Sequence, residues 1–240
     1  MVKLNSSAIV WDMGQEQFKD QWLGVYRKTG SPFIEAIVIS HRDLDHSGGM
    51  QFLDSTVEWS GIIVTSKYED TSFIRALCKN WKQKIVIRVV CENDSLGYLP
   101  ETLIRCIWPP SHFIDSIPVQ NSSINKYSLV FTLSYMESSV IISSDIDSFA
   151  ALSIAQNYKE SLHSNILVVP HHGSAGSLNR IFLGYIKPET AIISCAKYNE
   201  YKHPSEMVVS CLRTIGANLR ITYLDNSISF RSNGFYWVEN

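Results

Sequence analysis

The sequence predicts a layered α/β fold. Three observations carry that expectation. Short β-rich apolar runs alternate with amphipathic segments from end to end, and no low-complexity linker or internal repeat interrupts them. The composition, 45% hydrophobic and 18% charged, is that of a globular protein. A chain of 240 residues buries roughly 70–75% of its unfolded surface, so one domain spanning 1–240 needs no staple to hold a core.

The elements follow in order. Ala8–Trp11 reads as a strand ending at Asp12. Gln15–Lys28 has Phe18, Trp22 and Tyr26 at helical spacing and Gly30 as a stop. Phe33–Ile39 is a strand entered through Ser31-Pro32, followed by a helix at Ser47–Leu53, a strand near Ile62–Thr65 and a helix around Thr71–Trp81. Lys84–Val90 and Thr102–Ile107 are strands, the second ended by Pro109-Pro110, and the polar stretch Ser111–Lys126 reads as a long loop. Leu129–Tyr135 and Val140–Ser143 are spaced for a hairpin. A helix over Ser148–Lys159 leads into a strand at Ile166–Val169. The last third repeats the rhythm, with helices at 178–186 and 205–215 and strands at 190–194, 219–223, 227–231 and 235–238.

A formal net charge of −2 argues against a surface that coats nucleic acid by charge alone, although bound divalent cations add positive charge that a residue count omits. The 5 cysteines are odd in number and form no CxxC pair, which fits reduced thiols rather than a disulfide framework or a cysteine zinc site. The start lacks the basic and apolar blocks of a signal peptide, and no apolar run approaches the roughly 20 residues of a membrane span. A cytoplasmic protein with no membrane partner is expected.

The strongest chemical signal is His41-Arg42-Asp43-Leu44-Asp45-His46, which follows the apolar strand Ala36–Ser40 and precedes Ser47-Gly48-Gly49. In an extended or turning segment alternate side chains share a side, so His41, Asp43 and Asp45 can converge, with His46 joining after the turn. A solvated polar turn is the competing reading, but such turns seldom place four good ligands behind an apolar strand. A second signal, Pro170-His171-His172-Gly173-Ser174, again delivers histidines at a strand end. Adjacent side chains usually point apart, so one ring of that pair can bind metal while the other faces substrate or core; a reading in which neither is a ligand competes with this. Asp145 ends the apolar run Val140–Ser144 and suits either a helix N-cap or a carboxylate bridging two cations. His203-Pro204 stands at a helix entrance, where a surface or capping role competes. Of the 7 histidines, only His112 and His163 lie outside these places.

The ordered set His41-x-Asp43-x-Asp45-His46 with Gly48-Gly49, Asp145, Pro170–Ser174 and Asn199 to His203-Pro204 resembles the metallo-β-lactamase superfamily, and within it the ComEC/Rec2-like branch of DNA-uptake proteins and free-standing hydrolases. The resemblance runs from about Ala8 to the final strands. It implies a four-layer αββα sandwich and a centre of two divalent metal ions, zinc or manganese. His41 and Asp43 would serve one ion, Asp45, His46 and His172 the other, with Asp145 bridging. The resemblance does not distinguish His171 from His172 as the ligand. Asp45 would accept a proton from the attacking water, while His203 and the remaining histidine, His171, would contact phosphate or protonate the leaving oxygen. Asp12 matches an Asp that supports the ligand loop. Asp43 in place of a second His makes the set carboxylate-rich. Ser143-Ser144 replaces the usual Gly before the bridging Asp. Relatives open with a Gly-rich hairpin, where this chain has Met1–Ser7, so an exposed N-terminal sheet edge is expected to offer a homo- or hetero-oligomer contact.

The function expected from this resemblance is a phosphodiesterase or nuclease acting on DNA. The alternatives are hydrolysis of a small ester or phosphoester, and a non-catalytic partner-binding subunit. Lys79, Lys82 and Lys84 form the nearest thing to a basic cluster, which a solvated helix face explains as well. Trp108, Tyr198 and Tyr201 suit either base stacking or packing.

Overall fold

The computed structural model describes all residues except 54–56, 80, 98, 100, 113–123 and 240, so most of the expected 111–126 loop lies outside the described residues. The chain divides into two compact units, Met1–Cys91 with Leu96–Pro100, and Glu92–Ser95 with Glu101–Asn240.

The first unit holds β1 (Val2–Leu4), β2 (Ser7–Trp11), α1 (Lys19–Lys28), β3 (Phe33–Ile39), α2 (Leu44–Ser47), α3 (Met50–Leu53), β4 (Ile62–Ser66), α4 (Thr71–Leu77) and β5 (Val86–Val90). Its sheet runs β1-β2-β3-β4-β5. Strands β2 to β5 are parallel, each step bridged by helix because parallel neighbours need a crossover. Four consecutive residues of β3, Ala36–Ile39, are buried, the near-continuous apolar run of a central parallel strand. Ile37, Ile63, Leu53 and Tyr26 build the core with Trp22, which stacks on Tyr26 at 5.5 Å.

Three local expectations change here. The α1 helix begins at Lys19, so Phe18 sits ahead of it and is exposed, leaving Trp22, Leu23 and Tyr26 to pack. The short β1 pairs antiparallel with β2, so the chain's own first residues cover the edge of β2, and β1 is outermost. The helix expected at Ser47–Leu53 is two short helices. The first starts at Leu44, with Asp43 as its N-cap residue, because the Asp43 carbonyl already accepts from His46 and Ser47 N–H at 2.9 Å.

A two-residue strand, β6 (Ser95–Leu96), lies where the chain passes between units. The second unit continues with β7 (Leu103–Trp108), β8 (Val130–Tyr135), β9 (Ser138–Ile142), α5 (Ser148–Tyr158), β10 (Ile166–Val168), α6 (Arg180–Ile186), β11 (Thr190–Ile193), α7 (Glu206–Thr214), β12 (Asn218–Ile221) and α8 (Thr222–Asp225). It closes with a hairpin of β13 (Phe230–Ser232) and β14 (Trp237–Glu239). Within this unit the sheet order is β12-β11-β10-β9-β8-β7. β7, β8 and β9 form an antiparallel meander, including the expected hairpin, and β9 to β12 are parallel with α5, α6 and α7 as crossovers. Phe182, Ile154, Leu167 and Leu212 are among its fully buried residues. Asp147, Asn179 and Ser205 cap α5, α6 and α7 through side-chain oxygens. The cap of α5 is therefore Asp147, which leaves Asp145 for other work.

No helix among the described residues is long and apolar enough to cross a membrane. All five cysteines are free thiols.

The ligand loop is anchored by close backbone approach. Gly49 N–H donates to Gly14 O and Met13 N–H to His46 O, both at 2.7 Å, and a Cβ at Gly49 would lie 2.8 Å from Met13 Cβ. Gly49→Ala is expected to destabilise the protein by about 1–3 kcal/mol through overpacking. A urea or thermal melt matching the parent within error would overturn this reading.

Candidate functional site

In both units the chemistry-bearing residues lie just beyond the carboxyl ends of parallel strands, where open α/β sheets place their ligands. In the first unit Asp12 directly follows β2, and His41 follows β3 with Ser40 between them. In the second, Asp145 follows β9 and the His171-His172 pair follows β10.

Asp12 organises the first set. Its Oδ1 accepts from Ser40 N–H at 2.8 Å, and its Oδ2 accepts from the Ser40 hydroxyl and from His46 Nδ1, both at 2.8 Å. Two consequences follow from counting hydrogens. His46 donates its Nδ1–H to the carboxylate, so its Nε2 carries the lone pair, the arrangement in which a carboxylate orients a metal-binding imidazole. Ser40 has one hydroxyl hydrogen, spent on Asp12, so it can only accept from His41 Nδ1 at 3.0 Å. His41 Nε2 therefore also carries a lone pair. That atom is completely buried with no hydrogen-bond partner. Asp43 Oδ2 stands 3.4 Å from it, and Asp45 Oδ2 stands 3.9 Å from His46 Nε2. Two ligands about 2.1 Å from one tetrahedral ion lie roughly 3.4 Å apart. The His41–Asp43 spacing is thus that of donors sharing a cation.

The structure corrects how this loop presents its ligands. Asp45 and His46 lie in the first turn of α2 rather than in an extended segment, and Asp43 marks the change from extended to helical backbone. The rings of His41 and His46 come to 4.1 Å between centroids by that turn.

The second set is built on backbone in the left-handed region. Ser144, His171 and His172 have φ of +46°, +49° and +54°. Each such residue costs about 1–3 kcal/mol and persists only where its surroundings impose it. His171 N–H donates to Ser144 O at 2.9 Å, and Ser205 N–H donates to Gly173 O at 2.9 Å, which fastens the three loops together. Ser144 occupies a position where glycine would be unstrained. The paired left-handed residues overturn the expectation that adjacent rings point apart. His172 Nε2 lies 3.6 Å and His171 Nε2 3.8 Å from Asp145 Oδ2. His172 Nδ1 donates to Ser194 O at 2.7 Å, which leaves its Nε2 lone pair directed at the buried Asp145. His171 stands between His172 and His203, with ring centroids 6.3 and 5.8 Å away, and the Asn125 amide lies 3.4 Å from its Nε2. The His203 backbone is clamped at both ends by Asn199, whose Oδ1 accepts from His203 N–H at 2.8 Å and whose Nδ2 donates to His203 O at 2.7 Å.

Sequence reading missed Ser40 and Asn125. A hydroxyl residue directly before the first ligand at a strand end was a usable signal for Ser40. Asn125 follows the undescribed 113–123 stretch and carried none.

The architecture of the two units is that of the metallo-β-lactamase fold, as the sequence predicted. A crystal structure of Tm1679, a metal-dependent hydrolase of the β-lactamase superfamily, superposes with a TM-score of 0.56 at 16% identity, covering 91% of this chain and 86% of that one. By sequence the chain is similar to competence protein ComA of Neisseria gonorrhoeae, 27% identical over 199 residues and 82% of this chain. It is also similar to ComE operon protein 3 of Bacillus subtilis, 24% identical over 202 residues. The chain spans about a quarter of the length of these curated relatives, 25% and 24%. No protein-family model matches it.

Two outcomes are expected from this geometry. Asp12→Asn removes the carboxylate that fixes His46 and should weaken divalent-metal binding about 10- to 100-fold in a chelator competition titration. Unchanged affinity would sink the orienting role. Burial, followed by the neighbouring His171 and His172, lowers the pKa of His203 below its ordinary 6.5, against a smaller opposing pull from Asp145. Between its folded pKa and 6.5 the unfolded chain binds more protons, so this contribution to stability is lost as pH falls through that window. NMR titration of the metal-free protein should place the His203 ring midpoint below 6.5; a midpoint above it would refute the assignment.

Proposed function

We propose that the protein is a metal-dependent hydrolase that cleaves phosphodiester bonds, with DNA as its substrate. The observation that carries the metal-binding part is His41 Nε2: a fully buried nitrogen whose lone pair has no hydrogen to accept and faces a carboxylate oxygen at 3.4 Å. Two acceptors at that distance repel unless a cation lies between them. His41, Asp43, Asp45 and His46 in one unit and Asp145 and His172 in the other are the donors we assign to divalent ions. The four donors of the first unit are as many as one tetrahedral ion takes, and Asp145 with His172 make a separate set in the second, which favours two ions. The carboxylate share of the set suits zinc or manganese.

Bound cations of this kind supply a water of lowered pKa and neutralise charge on the attacked phosphate. The chain's own residues do the rest. Asp45, half exposed at the start of α2, takes the proton of the attacking water. His203 is neutral at pH 7, so it offers one ring N–H to a phosphate oxygen rather than a full proton. Of the pair, His172 is the ligand in our assignment, because Ser194 O accepts its Nδ1–H and so fixes the lone pair on Nε2. His171 is then left beside His203 for substrate. Phosphodiester and DNA as substrates are supported by the similarity to competence proteins, which is partial in length.

The test is incubation of the purified protein with single- and double-stranded DNA and manganese or zinc. Cleavage is expected, abolished by chelator, and reduced at least about 100-fold in Asp45→Ala. Metal analysis should approach two ions per chain. Cleavage that survives His46→Ala or chelation would refute the proposal.

A further inference from the structure

Beside His203 the second unit carries an open pocket of about 570 Å³, lined by Lys197, Tyr198, Glu200, Lys202, His203 and Tyr223 among others. That volume falls within the roughly 300–1,000 Å³ of small-ligand pockets and exceeds what a lone phosphate needs. Apart from Tyr223 of α8, its walls belong to the loop between β11 and α7, which is braced from inside. Asn199 Nδ2 donates to Ala196 O at 2.8 Å as well as to His203 O, and Lys202 N–H donates to Asn199 O at 3.2 Å. A braced turn has no need of large apolar side chains at its tip, yet two are there. Tyr198 is 89% exposed and Tyr201 77%. Tyr201 lies parallel to the His203 ring, 5.7 Å between centroids at 17°, and Lys197 Nζ sits 5.4 Å from the Tyr198 ring. Trp108, by contrast, is buried with its indole N–H donating to Lys126 O at 2.6 Å, so its role is packing.

We infer that this pocket is a base-stacking subsite for single-stranded nucleic acid, with Tyr198 in its wall and Tyr201, stacked on the lining His203, as platforms and Lys197 and Lys202 as phosphate contacts. The inference rests on the phosphodiesterase reading and names how the substrate strand is held next to His203. A braced backbone lowers the ordering cost when a base stacks on rings it carries, and every base offers a π-face, so such contacts tolerate sequence. Glu200 repels phosphate but accepts from base amino groups. The sugar-phosphate path therefore follows the lysines and the bases turn toward the tyrosines and Glu200.

The test is fluorescence anisotropy with a labelled single-stranded oligonucleotide of about ten nucleotides and the intact, metal-free chain. Tyr198→Ala and Tyr201→Ala should each raise Kd about fivefold to a hundredfold, with thermal melts unchanged. Tyr198→Phe, which keeps the ring, should restore binding. Lys197→Ala and Lys202→Ala should each lower the slope of log K against log salt by about 0.7. Equal Kd for Tyr198→Ala and parent, or no binding by the parent, overturns the subsite. Hydrolysis of a small chromogenic phosphodiester by the metal-loaded parent separates the two ideas. Turnover without tyrosine-dependent oligonucleotide binding defeats the subsite alone. Tyrosine-dependent binding without turnover defeats the phosphodiesterase reading and leaves the subsite standing.

Discussion

The Asp12 carboxylate is the interaction on which the first unit's chemistry depends. Its two oxygens accept three hydrogen bonds, from Ser40 N–H, the Ser40 hydroxyl and His46 Nδ1. Between them these bonds set the tautomer of His46 directly and that of His41 through Ser40. Both histidines are buried, where a ring turned the wrong way would leave its N–H unpaired at a cost of about 1–3 kcal/mol. Asp12 itself has φ +50°, and its own N–H is held by Val38 O at 2.8 Å. Strain at that residue is thus tied to the strand β3 whose end delivers His41.

The second unit reaches a comparable result by different means. Backbone bonds fasten its loops around Asp145. The left-handed conformations at Ser144, His171 and His172 bend two strand ends so that both imidazoles face Asp145. Backbone bonds from His171 to Ser144 and from Ser205 to Gly173 keep those bends in place. A Cβ at Gly173 would lie 2.7 Å from Pro204 Cβ, so only glycine lets the two loops meet. Left-handed residues also occur at turns away from the chemistry, such as Asn5, Met136 and Lys187, but only here do they aim imidazoles at a carboxylate among the described residues.

The loop from Cys195 to His203 combines both strategies. Asn199 clamps His203 in place while the outer surface of the same turn holds exposed aromatic rings. Burial of Cys195 at the start of that loop pushes its thiol up to about 11, so it is protonated at neutral pH and a poor metal donor. That agrees with a donor set drawn from imidazoles and carboxylates.

Much was legible in the sequence because local periodicity and turn chemistry are local facts. The alternation of strands and helices and the donor-rich ends of β3, β9 and β10 were readable from residue pattern. Helix starts were read less well. Leu44 begins a helix because Asp43 O finds N–H partners in His46 and Ser47, a choice that an apolar pattern does not encode. The direction of each ring was also beyond the sequence. His41 Nε2 is left without a partner only because Ser40, one residue away, spends its hydrogen on Asp12, twenty-eight residues distant. Adjacent His171 and His172 face one carboxylate only because tertiary contacts impose a backbone that neither residue prefers. By itself the sequence determined which donors exist and at which strand ends they stand. The tertiary structure alone decided which nitrogen of each ring is presented, since that depends on hydrogen bonds between segments far apart in the chain.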